Sequence, residues 1–315
     1  MIDELVSVII PSYNRAHTIS TAIESVLHQD HRPIQLIVVD DGSEDNTGQV
    51  VRRFPGVQYV WKDHAGQAAA RNFGLQFCQG QYVANLDSDD AWKPGFVRFC
   101  LEKMQADQLD FVFANWDQQL KGGGFSDFLA ADPYLEPYRQ NAVSGWFHLD
   151  NVQLRALYLK ACPSPSSSAL IRRSSIFEGW NRQIKIGDDW CFYLDMILFK
   201  GGRAAFTMEK LWIKNVNDTN IYDGRPWHEV LRYLYIHDVG HFMTRYKEQL
   251  TARELFLLRK QYVRGLVELA KHTLIRDRDW RDSFKLLRRS FGSSPLLTFE
   301  TIPKVIVNGL RNHTS

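Results

Sequence analysis

The chain is poor in several features, and each shortage removes a class of function. Its 315 residues include only four cysteines, Cys78, Cys100, Cys162 and Cys191. They are widely scattered, with neither the close pairs of a disulfide framework nor metal-ligand spacing. Reduced, partly buried thiols are the expectation, although spacing alone does not exclude a bridge. No apolar run approaches the ~18 residues needed to span a bilayer. A strand starts so close to residue 1 that no secretory leader is expected. There is no G-x-x-x-x-G-K-[ST] and no G-x-G-x-x-G after the first strand, which argues against a P-loop and against a dinucleotide oxidoreductase. There is also no Cys/His quartet for structural zinc and no G-x-S-x-G hydrolase elbow. Internal repeats and low-complexity tracts are missing.

What is present is a globular composition. It is 44% hydrophobic, enough for one large or two modest domains with a real core. The net charge of +2 is unevenly spread: residues 1–224 carry −6 and residues 225–315 carry +8. We therefore expect an acidic domain over 1–224 and a basic amphipathic helical region over 225–315.

Val6-Ser7-Val8-Ile9-Ile10 is a β-branched apolar run ended by Pro11, as in a strand buried on both faces. A polar turn, Ser12-Tyr13-Asn14-Arg15, leads to a helix with Ile19, Ile23, Val26 and Leu27 on one side. A second strand, Ile34 to Val39, runs into Asp40-Asp41-Gly42-Ser43. A third, Val57 to Val60, precedes a helix over Gln67–Gln79. A fourth, Tyr82 to Leu86, runs into Asp87-Ser88-Asp89-Asp90, and Pro94 is expected to open a helix to about Ala106. Strands alternating with helices predict a single mixed, mainly parallel sheet flanked by helices. Ligands of such sheets sit beyond the carboxyl ends of the strands, where Tyr13-Asn14, Asp40-Asp41 and Asp87-Ser88-Asp89 all fall.

Asp87 and Asp89 point the same way if the chain stays extended. Two like charges that close repel by about 4 kcal/mol at an effective dielectric near 20. A bound cation, a proton or solvent must relieve this. The plainer alternatives are a solvated acidic loop, or capping of the next helix by Asp89 or Asp90. Ile186-Gly187-Asp188-Asp189-Trp190 opens a later amphipathic helix, where simple N-capping by Asp188 or Asp189 is again an alternative. Strand-end carboxylates with amide and aromatic neighbours suit an oxygen-coordinated Mg²⁺ or Mn²⁺ held by few protein ligands plus substrate phosphates. The aromatics of residues 118–160 are read mainly as packing, some being able to stack on a sugar ring.

The segments Ser7–Arg15, Val39–Ser43, Ala70-Arg71-Asn72-Phe73-Gly74, Leu86–Asp90 and Gly187–Trp190 resemble, in order and spacing, the family-two inverting glycosyltransferases of the glycosyltransferase A fold. The resemblance covers about residues 5–200 and implies that 1–224 is a nucleotide-sugar-binding catalytic domain. It implies that Pro11 and Tyr13 line a nucleotide base pocket and that Asp41 accepts a hydrogen bond from the base. Gly66 would lie against the nucleotide, with Arg71 supporting that wall; for Arg71 a purely structural salt bridge is the alternative. Asp87 and Ser88 would belong to the nucleotide site, with Asp87 facing the ribose. Asp89 would hold Mn²⁺ or Mg²⁺ on the diphosphate, and Asp189 would be the general base. Asp188 and Trp190 would lie on the acceptor side, with residues 118–180 facing the acceptor.

The implied donor is a nucleoside-diphosphate sugar, a UDP-sugar by preference, and the implied acceptor a hydroxyl of a glycan or lipid-linked molecule. The chain departs from the family in two places. Asp188-Asp189 stands where relatives usually have Glu-Asp. No histidine follows the last strand, where Lys214, Asn215 or Asn217 would have to substitute. A nucleotidyltransferase is a competing reading, although Arg15 alone makes a poor phosphate loop. A non-catalytic, membrane-associated protein that keeps the fold is another.

Thr251-Ala252-Arg253-Glu254 is a capping box ahead of Leu255, Leu258, Tyr262, Leu266 and Leu269. A second stripe, Trp280, Phe284, Leu287 and Phe291, is flanked by Arg281, Lys285, Arg288 and Arg289, with Gly292 as the expected stop. For the basic region three readings stand: a helical subdomain with a solvated face, docking on an anionic membrane surface, or a homo-oligomer interface. Nucleic acid is not expected as a partner. Cytoplasmic residence is expected, at the inner face of the membrane if the second reading holds.

Overall fold

The computed structural model describes residues 4–119, 123–215 and 224–311, with side chains through residue 306. Asn217 and the carboxyl side of the segment expected to replace the missing histidine lie outside the described residues. The chain divides into two compact units, Met1–Arg182 with Asp188–Asn217, and Gln183–Gly187 with Asp218–Ser315.

The first unit opens with β1 (Val6–Ser12), α1 (Ile19–Leu27), β2 (Ile34–Asp40), α2 (Thr47–Val51), β3 (Gln58–Trp61), α3 (Gln67–Leu75) and β4 (Tyr82–Asn85). The two-residue β5 (Ala91–Trp92), α4 (Phe96–Ala106), β6 (Phe111–Gln119), β7 (Phe125–Asp127) and α5 (Phe128–Ala131) follow. It closes with β8 (Trp146–Leu149), α6 (Asn151–Tyr158), β9 (Ala169–Arg172), α7 (Asp188–Lys200) and β10 (Ala204–Lys214). The sheet has the order β3-β2-β1-β4-β9-β6-β10-β5, with β7 on β6 and β8 on β10. β3, β2, β1 and β4 are parallel, and β9 runs antiparallel between β4 and β6. The sheet is mixed and flanked by helices, as the pattern implied.

Both faces of the parallel half are covered, so β1 is buried along its whole length. Ile9, Ile37, Val39, Ala70, Cys78 and Val83 form a core against α3. Gly74 lets α3 close on that core: a Cβ there would meet Ile9 at 2.7 Å. The register pairs Ser12 with Asp40 and Ile9 with Asn85, so the carboxyl ends of β1, β2 and β4 finish on one edge.

Two boundaries differ from expectation. Pro94 does not open α4. The chain pairs briefly as β5 and turns at Gly95, whose φ of +89° suits glycine, before the helix starts at Phe96. Asp89 and Asp90 therefore do not cap it. In the weakly patterned middle, Asp150 and Gln153 form a capping box for α6. Trp146 and Tyr158 are core, whereas Phe125 and Tyr134 are exposed and Phe128, also exposed, stacks on Trp116 at 4.5 Å.

The second unit is helical: α8 (Trp227–Val230), a π-helical turn (Leu231–Asp238), α9 (Val239–Arg245), α10 (Ala252–Ile275), α11 (Trp280–Ser293) and α12 (Pro295–Arg311). Thr251 and Glu254 make the capping box of α10. Val263, Val267, Leu297 and Val305 form its core, with Leu287 and Ile302 packed on it. Gly292 does not stop α11. The helix runs through it to Ser293, and Ser294 goes extended because a residue before proline is driven out of the helical region. Buried Asp238 accepts from the N–H groups of Lys185, Ile186 and Gly187, each at 2.9 Å. Among the described residues no helix is long and apolar enough to cross a membrane.

Candidate active site

The site of the first unit lies along the edge where β1, β2 and β4 end. At β2, Asp40 is structural: it accepts from Tyr59 Oη at 2.6 Å and from the Ser43 N–H at 2.8 Å. Burial and the Asp40 hydrogen bond push the Tyr59 hydroxyl up to about 12. Asp41, 3% exposed, turns the other way. Lys62 Nζ lies 2.5 Å from its Oδ1, and His64 Nδ1 lies 2.9 Å from its Oδ2. It also accepts from the N–H groups of Ala65 and Gly66, the latter at 2.7 Å. The carboxylate expected to face a base is thus engaged by internal donors. It braces the turn entering α3, where Gly66 (φ +91°) is the N-cap. What this corner presents outward is Tyr13, 40% exposed, stacked on His64 with centroids 4.1 Å apart. Pro11 is buried within β1 beneath it.

The second cluster joins three distant segments. Arg71, on α3 and 1% exposed, donates from Nη2 to Asp87 at 2.8 Å. From Nη1 it donates to Asp188 at 2.8 Å and to Asp189 at 3.1 Å. Burial disfavours its charge, but Asp189, Asp87 and Asp188 together raise its pKa above the ordinary arginine value. One cation faces three carboxylates, leaving the group negative unless a proton or cation joins it. Burial and the Asp189 charge push Asp188 up to about 7, with Arg71 opposing. Burial, with Asp189 and Asp89 nearby, likewise raises Asp87 despite Arg71.

Asp189 sits in the first turn of α7, where the helix dipole favours a negative charge. Its Oδ1 accepts from Arg71, from Ser166 Oγ and from Trp180 Nε1 at 3.2 Å. Among the described residues its Oδ2 accepts only the Ser166 N–H, at 2.9 Å, so one of its two lone pairs is left over. Trp180 is held by a reciprocal pair with Asn72, at 2.7 and 2.8 Å, and stacks on Phe192 at 4.2 Å. Asn72 therefore serves the cluster alongside Arg71.

Trp190 does not face an acceptor. It is 5% exposed and donates to the Tyr158 carbonyl, because the helical turn carries it to the side of α7 that packs on α6. Asp188 shares the Arg71 cluster with Asp189. Ser88 is buried. Asp90 is 3% exposed and accepts from Ser167 Oγ at 2.7 Å and from the Asn215 N–H at 3.2 Å. Burial and the charges of Asp87 and Asp89 drive its pKa up, and its contacts make it a structural acid of the turn. Asn215 also donates to the Asp89 carbonyl, so it holds the Asp87–Asp90 turn in place. Asp89 has Arg15 at 3.8 Å. Lys62, His64, Ser166 and Trp180 had no signal in the sequence as site residues. The serine run was legible only as a loop entering β9.

The donor set fits a hard divalent cation of a particular kind. Among the described residues no three His, Cys, Asp or Glu side chains form a metal cage. Asp87 is held by Arg71, and Asp89, beside Arg15, is the other strand-end carboxylate that an ion could use. An ion bound by one or two carboxylates and completed by substrate phosphates matches that supply.

The mixed sheet, with carboxylates beyond its parallel strands, is shared with solved structures of the glycosyltransferase A fold, which is the fold of this chain. It belongs to Glycosyl transferase family 2, whose profile matches residues 7–176, more than half of its length. The Escherichia coli UDP-Glc:alpha-D-GlcNAc-diphosphoundecaprenol beta-1,3-glucosyltransferase WfgD is 39% identical over 120 residues, covering 37% of this chain and 47% of the relative. The chain spans under half the length of the curated relatives it matches. S. aureus TarS 1-349 in complex with UDP-GlcNAc superposes with a TM-score of 0.60 at 15% identity, covering 98% of this chain and 92% of that one. The mannosyltransferase PcManGT of Pyrobaculum calidifontis, in complex with GDP-Man and Mn²⁺, gives 0.55 at 18% identity, covering 96% and 84%. At these identities the two structures establish the fold. The family match sets aside the nucleotidyltransferase reading.

Proposed function

We propose that the chain transfers a sugar, with inversion at the anomeric carbon, from a nucleoside-diphosphate sugar to a hydroxyl of a glycan or lipid-linked acceptor. The observation that carries this is the bridging of Asp87 to Asp188 and Asp189 by Arg71, which unites the end of β4 with the start of α7. A strand-end carboxylate beside a leaving group and a second carboxylate facing an incoming alcohol are what one in-line displacement requires.

In this mechanism Tyr13 and His64 form the wall against the base, and Asp41 keeps that wall in place by holding the His64–Gly66 turn. Asp87 and Ser88 border the ribose side. Asp89 would hold Mn²⁺ or Mg²⁺ with the donor diphosphate; such an ion neutralises charge as the diphosphate departs. Asp189 takes the acceptor proton on Oδ2, whose spare lone pair suits that role, while Ser166, Trp180 and Arg71 fix its orientation. Asp188 carries the exchangeable proton of the cluster, which relieves the repulsion among three acids around one guanidinium.

The naming of WfgD as a glucosyltransferase using UDP-Glc and a diphosphoundecaprenol-linked sugar, and the UDP-GlcNAc complex of TarS, support a UDP-sugar donor and a lipid-linked acceptor. We place the reaction in the cytoplasm at the inner face of the membrane. The test is to incubate the protein with UDP-sugars, Mn²⁺ and lipid-linked acceptors and to determine the product's anomeric configuration by NMR. A product inverted relative to the donor upholds the proposal. A retained configuration, or donor binding with no transfer to any acceptor class, contradicts it, and the latter favours a non-catalytic binding protein.

A further inference from the structure

Among the described residues, the second unit exposes several large apolar side chains on two packed helices. On α11, Trp280, Phe284, Leu287 and Phe291 recur at helical spacing. Leu287 packs on the core, yet Trp280 and Phe284 are each 65% exposed. The buried side of α11 lies elsewhere: Ser283 donates to the Ala270 carbonyl and Ser290 pairs with Thr298. On α12, Leu296 and Phe299 are each 67% exposed and Ile306 is 53% exposed. The two stripes touch through Phe291 and Phe299, edge to face at 5.1 Å. Contiguous exposed aromatics on two packed helices are unusual for a surface that meets only water.

Charge identifies what covers it. Arg281, Lys285 and Arg288 follow one position after Trp280, Phe284 and Leu287, so they line one edge of the α11 stripe and are exposed. Lys304 adds a cation on α12, and the carboxylates nearby in sequence are Asp277, Asp279, Asp282 and Glu300. Asp279 caps α11 through the Asp282 N–H. The whole region from 225 carries +8. A second copy of the chain would bring the same positive charge to the contact, whereas an anionic bilayer complements it. Aromatic side chains bordered by lysine and arginine also suit the headgroup boundary.

We propose that the joined outer faces of α11 and α12 dock this chain on an anionic lipid surface. Trp280, Phe284, Leu296 and Phe299 enter the headgroup boundary, and Arg281, Lys285 and Arg288 meet the lipid phosphates. This deepens the proposed function, because a lipid-linked acceptor is presented at such a surface. It rests on that reading only for its purpose: vesicle binding is read without donor or acceptor.

The experiment is co-sedimentation of the full chain with vesicles of phosphatidylglycerol and phosphatidylcholine, against phosphatidylcholine alone, at low and high salt. Binding to the anionic vesicles that falls with salt is expected. Trp280→Ala/Phe284→Ala should weaken it about ten-fold or more, and Arg281→Glu/Lys285→Glu should abolish its lipid selectivity. Circular dichroism checks that both variants remain folded. Equal binding to neutral vesicles, or none to either, overturns the proposal. So does a self-association by ultracentrifugation that Trp280→Ala/Phe284→Ala abolishes while vesicle binding is absent, which would assign the face to a second copy.

Discussion

Arg71 Nη1 lies 2.8 Å from Asp188 Oδ2, although 117 residues separate them in the chain. The guanidinium is 1% exposed and also holds Asp87 and Asp189, so a single cation binds three acids. Taking it away leaves three partly buried carboxylates facing one another. Arg71→Met is expected to lower unfolding free energy by about 3–5 kcal/mol, the usual cost of breaking a buried pair from one side. Urea denaturation checks this; a loss under 1 kcal/mol would mean that solvent already screens the cluster.

The Asp188 carboxyl governs a pH dependence. Its pKa rises from 3.8 in the unfolded chain to about 7 in the folded one, chiefly through burial. The folded state therefore holds an extra proton between those values, and stability declines as pH rises from about 4 to about 7. Below that window the contribution is fully present, and above it it is lost. Melting temperatures of wild type and Asp188→Asn between pH 5 and 8 should converge at the acid end and separate toward pH 7, with the variant flatter. Parallel curves would show that Asp188 does not hold the proton.

The Tyr13–His64 stack forms the outward wall of the base corner. Tyr13→Ala should raise KM for the donor about two- to ten-fold and leave kcat nearly unchanged, since an aromatic contact contributes about 0.5–1.5 kcal/mol. Steady-state kinetics decides it. A fall in kcat with constant KM would place the stack at the reacting centre instead.

In the proposed reaction Asp89, beside Arg15 at the end of β4, would hold the divalent ion. Chelation should stop transfer and added Mn²⁺ or Mg²⁺ restore it. Asp89→Asn should then need on the order of ten-fold more metal for half-maximal rate. Transfer that persists through exhaustive chelation would remove the ion from the mechanism.

Much of the sheet was legible because its strands are buried on both faces and read as continuous apolar runs ending in polar clusters. Val6 to Pro11 and Ile34 to Asp40 show this plainly. Gathering three such ends on one edge followed from parallel pairing. Contacts between segments far apart in sequence were not legible. Nothing local says that Asp41 turns toward Lys62 and His64, or that Ser166 and Trp180 orient Asp189. Trp190 shows the opposite limit, since one residue along a helix rotates a side chain by about 100° and moves it from the site into the core. The stop of α11 was misread because proline at 295 outweighs glycine at 292. Between residues 123 and 160 the strands β7 and β8 and the helices α5 and α6 are each too brief to leave a period.

In the proposed reaction Asp189 removes the acceptor proton, and Asp189→Asn isolates that role because the amide keeps the shape while losing basicity. Turnover with donor, metal and acceptor should be measured beside donor affinity by calorimetry. The account predicts a loss of kcat of about 10²-fold or more with donor affinity nearly intact. Unchanged turnover in a variant that still binds donor would contradict it.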